Sequence, residues 1–433
     1  MLESSGRIVA LFLLASVLVT ATARAADPLN SNNRPNEEDQ PSTSPADARD
    51  KNDEAPHTDF NIVPVVGGST DFGFGGGYFA GLVRNQKHRD PFLWNIDSSG
   101  LITFKYNSAG GFTSPYQDIY LRLTVPRLFD SPLRFEIRPS YTSEDTYYYG
   151  LGNASSSAAP PNAPHGYFNF KRTHPQLDVE IRGRIVDHLA VHTGFRFTHN
   201  AVSTASDSKL EQDANTGSAE EKHLLGQIRA SSVLLLKYGI QWDTRDNEVS
   251  SHAGTYDSLD LKLSPGGTEM FPYRYGQTTL ELRAFVPLSK PKLTLAVRVV
   301  GDVLFGNAPF FELARFDDTF AIGGTNGVRG VPAQRYYGKA KAFANLELRT
   351  ELFTFHAFHK QIVFAFVPFL DGGRLWADTK SEPELDGSGV GLKYGVGSGV
   401  RLQSGSAFVI RADLAWSPDA TPISGYFSAG QIF

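Results

Sequence analysis

The chain has no cysteine in its 433 residues. A disulfide framework, a thiolate metal site and a cysteine nucleophile are thereby excluded. Charge of one sign is also scarce: 41 Lys and Arg stand against 46 Asp and Glu, and a formal net charge of -5 lacks the basic excess expected of a nucleic-acid binder. Residues 27–58 alone carry eight acids and three bases, so most of this imbalance is local. The longest apolar run, Ile8 to Val19, lies within the first 25 residues, after Arg7 and before the small-x-small pattern Ala23-Arg24-Ala25. It is short of the ~20 residues a transmembrane helix requires. Residues 1–25 are therefore predicted to be an export signal cleaved after Ala25.

Residues 26–58 are rich in Pro, Asn, Asp, Glu and Ser, with almost no aliphatic side chain. Such a segment cannot bury enough surface to offset chain entropy, and a disordered periplasmic linker is expected. At 33 residues it is shorter than the ~50 residues of the smallest usual domains.

From residue 59 to 433 the pattern changes. Apolar and polar residues alternate in LRLTV (121–125), LRFEIR (133–138), LDLKL (259–263), LELRAFV (280–286), LTLAVRV (293–299), NLELRTEL (345–352) and FVIRADLAW (408–416). A period of two means strands with one apolar and one polar face. A soluble sandwich and a transmembrane barrel share that signature. The barrel is favoured by mixed-sign charges on the polar face, with Asn345, Glu347, Arg349 and Glu351 on one strand and Arg411 and Asp413 on another. Aromatics at strand ends (Tyr147, Tyr148, Tyr149; Phe271, Tyr273, Tyr275; Phe366, Phe369) are read as interfacial girdles. The length accommodates sixteen strands at ~10 residues each, with twelve to eighteen as the range. The expected fold is all-β, a transmembrane antiparallel barrel of sixteen strands.

Several separated stretches carry a family likeness: GGSTDFGFGGGYFAG (67–81), YYGLGN (148–153), WDTRDN (242–247), GVRG (327–330), NLELRTEL (345–352) and FLDGG (369–373). In this order they resemble the BamA/TamA-type outer-membrane protein-assembly superfamily, the bacterial surface antigen barrels. The resemblance covers about residues 60–433. It implies that Val328, Arg329 and Gly330 form the tip of an extracellular loop folded back into the lumen. Arg329 would be received there by Glu347 and by Asp371 of the motif strand Phe369, Asp371, Gly373. Where the family has an aromatic after V-R-G, this chain has Val331. In the closing strand, Phe427, Gly430 and Phe433 resemble the carboxy-terminal insertion signal of such barrels.

The implied function is insertion or translocation of unfolded outer-membrane or secreted proteins in outer-membrane lipid, through a weak seam between first strand (about 60–82) and last (about 422–433). The short leader places the chain with a barrel-only branch lacking POTRA domains. A passive or gated channel and a surface-exposed adhesive barrel are the alternatives. No nucleic acid, cofactor or metal is expected: His188 and His192 share a strand face but lie ~13 Å apart, too far for one ion. The glycine run has neither the helix nor the lysine of a phosphate loop. No G-x-S-x-G elbow is present, and the chain is not expected to be an enzyme.

Overall fold

The computed structural model describes residues 56–433, apart from 87–90, 107–110, 227, 290–291, 317–318, 321, 358–359, 381 and 405–407. The export signal at 1–25 and the leader up to residue 55 lie outside the described residues.

Sixteen antiparallel strands form the wall. They are β1 (His57–Ser69), β2 (Gly73–Asn85), β3 (Trp94–Tyr106), β4 (Tyr116–Val125), β5 (Leu133–Tyr147), β6 (Asn169–Val186), β7 (Leu189–Thr204) and β8 (Ser231–Asp243). The second half comprises β9 (Gly254–Pro265), β10 (Arg274–Ser289), β11 (Leu293–Gly306), β12 (Ala340–Ala357), β13 (Lys360–Trp376), β14 (Lys393–Ser404), β15 (Phe408–Ser417) and β16 (Ala420–Ala429). Each pairs with its sequence neighbours, and β1 meets β16 to close the barrel.

The distribution of burial decides between the two architectures that alternation left open. On β12, Lys341, Asn345, Glu347 and Arg349 are buried, whereas Leu346, Leu352 and Phe353 are exposed. The neighbouring strands repeat this, with Leu280, Leu282, Val299, Val303, Leu370 and Leu414 outward. Polar groups inside and an apolar belt outside is the lipid-facing arrangement.

Long connections (148–168, 205–230, 307–339, 377–392) leave one end of the barrel, and shorter turns join strands at the other. In outer-membrane barrels the end with long loops is the extracellular one and the end with short turns the periplasmic one. Within 205–230 lie two helices, α1 (Lys209–Thr216) and α2 (Ala219–Leu225). Ser208 and Ser218 cap them, each accepting the N–H of a Glu three residues on.

Three expectations are corrected here. The Gly-rich stretch read as one first strand is a hairpin, with residues 70–72 turning between β1 and β2 and Gly73 at φ 77 just after the turn. A slim glycine pattern continuing on both sides of a three-residue turn conceals it. Four of the eight aromatics assigned to girdles point inward: Tyr148, Tyr273 and Tyr275 join Leu151, Leu210, Phe310, Phe311 and Tyr337 in an apolar cap under the loops, and Phe369 is buried on the lumen side. Phe433 does not close a strand. β16 ends at Ala429, Gly430 takes φ 86, and the remaining residues turn into the barrel.

Candidate functional site

The loop at 307–339 folds back into the lumen. Gly323, Gly324 and Gly330 take positive φ (110°, 77° and 94°). Gly327 of the same stretch does not, and its carbonyl accepts a hydrogen bond from Asn345 Nδ2 at 2.8 Å. The wall makes room for the tip at Gly395 of β14, where a Cβ would lie 1.7 Å from the carbonyl oxygen of Arg329.

Arg329 is fully buried. Its guanidinium forks onto Asp371, with Nε to Oδ2 at 2.7 Å and Nη2 to Oδ1 at 3.0 Å, and its backbone N–H donates to the same carboxylate at 3.0 Å. Nη1 reaches Glu347 at 2.8 Å and Asp413 at 3.3 Å. The ring of Phe369 lies beneath, its centroid 3.4 Å from the guanidinium carbon. A planar fork suits carboxylates and an aromatic face together. Arg349 bonds Glu347 at 3.0 Å, and Arg401 bonds Asp413 at 2.5 Å and Glu347 at 3.4 Å. Three acids and their arginines are thus paired away from water, as buried charges must be.

The expected acceptors Glu347 and Asp371 both contact Arg329. Asp413 was read only as part of a lumen ladder, yet it is the third acceptor. Further contacts escaped the sequence reading: Arg298 donates to the Asn326 carbonyl at 2.9 Å, Arg411 to Asn326 Oδ1 at 2.8 Å, and the Gly330 N–H to the Tyr426 hydroxyl at 2.9 Å. Val328 and Val331 are buried with Val300, Phe316, Ile322, Tyr336, Phe343 and Leu375, so apolar packing of the tip is kept with a valine after the V-R-G. Gly373 lies against Phe343 and Ile322, with no room for a Cβ.

The seam is short. β1 pairs with β2 along its whole length, from His57 opposite Asn85 to Ser69 opposite Gly73. Across the seam only Gly68 with Phe427 and Ser69 with Tyr426 are in register, and the Thr70 N–H donates to the Gly425 carbonyl at 3.0 Å. Among the described residues, the edge of β1 from His57 to Gly67 has no ladder partner on the seam side. Phe433 packs against Phe285, and its carbonyl oxygen accepts from Arg349 at 2.9 Å.

The other singled-out stretches are placed apart. YYGLGN joins the cap through a parallel bridge of Leu151 with Tyr337. His188 meets the Asp243 carbonyl, His192 meets Asp260 and His199 meets Ser232, three separate partners.

The model of the Omp85 superfamily domain matches residues 103–433. Similar solved structures include BamA from Haemophilus ducreyi lacking POTRA domains 1–3, at 14% identity and TM-score 0.56, over 86% of this chain and 70% of that one. CdiB from Escherichia coli is similar at 12% identity and TM-score 0.52, over 86% of this chain and 62% of that one. CdiB from Acinetobacter baumannii matches at 15% identity and TM-score 0.47, over 86% and 59%. The chain thus spans less than two thirds of either CdiB chain. No curated protein sequence matches it.

Proposed function

Because the chain belongs to the Omp85 superfamily, we propose that it inserts or translocates other polypeptides at the bacterial outer membrane, engaging the incoming chain at the seam between β1 and β16. One observation carries this reading: the edge of β1 from His57 to Gly67 presents backbone N–H and C=O groups without a ladder partner across the seam. Such an edge is a template for an added strand, and main-chain hydrogen bonding accepts clients of many sequences. The clients are unfolded outer-membrane or secreted proteins, and outer-membrane lipid surrounds the wall. Arg329 keeps the loop seated while the seam is closed, and the Gly330 to Tyr426 bond ties that loop to the closing strand. Export by residues 1–25 with cleavage near Ala25 belongs to this proposal; an enzymatic step, a cofactor, a metal and nucleic acid do not.

The test uses the absence of cysteine. Thr70 and Gly425 face each other across the seam, and a Cβ on Gly425 would lie 3.9 Å from Thr70 Cγ2, so Thr70→Cys with Gly425→Cys can be oxidised to a lock. The locked barrel is expected to lose insertion of a test barrel into liposomes and to regain it on reduction. Undiminished insertion by the locked protein overturns the reading.

A second reading, a gated channel, is favoured by a polar lumen cavity of about 190 Å³ whose wall includes Arg138, Asp178, Glu180, Arg182 and Lys237. Small flickering openings in planar bilayers fit a barrel plugged by its loop. Steady large conductance fits an open pore.

A further inference from the structure

The turn between β8 and β9, residues 244–253, follows Trp242 and Asp243 of the WDTRDN stretch. It is stiffened by its own side chains. Arg245 forks onto Asp243 at 2.9 and 2.8 Å, and Asp246 Oδ1 accepts the N–H groups of His252 (2.9 Å) and Ala253 (3.1 Å). Asn247 Oδ1 accepts those of Val249 and Ser250, both at 2.8 Å. Instead of staying over its own hairpin, the turn reaches distant strands. Ser250 Oγ donates to Gln403 Oε1 on β14 at 2.8 Å, and His252 Nε2 lies 3.1 Å from Glu351 Oε1 on β12. Ser250 and Ser251 are buried. In strand order β12 and β14 lie well around the wall from β9, so the turn crosses the periplasmic mouth as a chord.

Its landing points fit a pattern. Glu351 follows Arg349 by two residues, and Gln403 follows Arg401 by two, each pair on one inward face. Arg349 and Arg401 hold the segment after β16: Arg349 donates to the Phe433 carbonyl at 2.9 Å, and Arg401 Nε to Gln431 Oε1 at 3.1 Å. Both strands run from the loop end to the turn end. The seated loop, the closing segment and the turn therefore lie in three successive layers against the same two strands.

We propose that the turn 244–253 is an inner clamp on the closing strand, with Ser250 and His252 as positioning residues that keep Gln431 and Phe433 seated on Arg401 and Arg349. That the clamp governs seam opening rests on the function proposed above. The clamp itself is a property of the closed barrel and is tested without any client. Hydrogen exchange read by mass spectrometry on the folded full chain compares oxidised with reduced Ser250→Cys/Gln403→Cys, and Ser250→Ala/His252→Ala with the unaltered protein. Oxidation is expected to slow exchange over residues 426–433 about tenfold, and the alanine pair to speed it by a similar factor. Equal exchange over 426–433 in oxidised and reduced protein overturns the clamp, and this comparison stands even if the alanine pair fails to fold. Failure of the insertion reading registers elsewhere: the Thr70–Gly425 lock would leave insertion intact while the exchange difference persisted.

Discussion

The backbone N–H of Gly330 donates to the phenolic oxygen of Tyr426 at 2.9 Å, and Tyr426 is itself in register with Ser69 across the seam. One hydroxyl thus stands between the tip of the inward loop and the weakest pairing of the wall. Ser424, two residues earlier on β16, donates to the Gly330 carbonyl at 3.3 Å. The loop therefore grips the closing strand by the backbone of its own motif glycine.

Tyr426→Phe isolates that link. The ring still packs with Phe369 and Ala415, but the Gly330 N–H is left buried without an acceptor, a cost of about 1–3 kcal/mol. A lower temperature of heat-induced gel-mobility shift is expected, together with faster exchange of the Ser69 and Thr70 amides. If thermal stability falls while those amides are unaffected, the bond serves the loop alone and does not reach the seam.

Removing the Arg329 guanidinium leaves Glu347, Asp371 and Asp413 short of a shared partner, with all three buried. Arg329→Ala should cost about 3–5 kcal/mol, as breaking a buried pair does. Arg329→Lys should fall between, since an ammonium keeps the charge but not the fork. Arg329→Glu combined with Asp371→Arg should recover only part of the loss, because Glu347 and Asp413 would still face the new carboxylate. Unfolding midpoints in denaturant and protease cleavage within 307–339 give the measure; full recovery by the double reversal would mean that Asp371 alone matters.

The seat can also be lost without touching a charge. A Cβ at Gly395 would meet the Arg329 carbonyl oxygen at 1.7 Å, whereas one at Gly301 meets nothing within 4 Å. Gly395→Ala is expected to expose the loop to protease much as Arg329→Ala does, with Gly301→Ala as an indifferent control. Equal protection of the two glycine variants would show that the loop backbone can shift to a new seat.

What the sequence made legible, and what it hid, follow the range of the interactions. Alternation along NLELRTEL is local and yielded the inward face of β12, and Glu347, Asp371 and Arg329 stood in recognisable stretches. Asp413, Tyr426 and Asn345 were hidden as partners because closure of the wall, not neighbouring sequence, decides which residues face the loop across the lumen. Alternation gives little sign of β3, which is followed by the two-residue Phe112–Thr113 before β4 begins. The helices at 209–216 and 219–225 give too few turns for a helical period, but Ser208 with Glu211 and Ser218 with Glu221 were start signals open to reading. Tyr148 and Tyr275 look like girdle residues until the loops above them are folded down.

The outer end of the seam should respond to pH through Asp71, in the turn between β1 and β2. Its carboxylate accepts the N–H of Ala333 from the inward loop, and its own carbonyl accepts from Lys105 Nζ at 3.0 Å. Oδ2 has no hydrogen-bond partner. Burial pushes the pKa up from an ordinary 3.8 to about 6, outweighing the Ala333 bond and the Lys105 charge, which pull it down. A carboxyl with a raised folded pKa contributes stability that is fully present below its unfolded value and is lost as pH rises through the folded one. After correction for intrinsic rates, amides 68–74 are therefore expected to be better protected at pH 4 than at pH 7, and Asp71→Asn should flatten the difference. An unchanged slope in the Asn variant would assign the titration to another group. Because Thr70, the next residue, donates across the seam to Gly425, a hairpin loosened by ionised Asp71 holds β16 less firmly at neutral pH, where the proposed opening must occur.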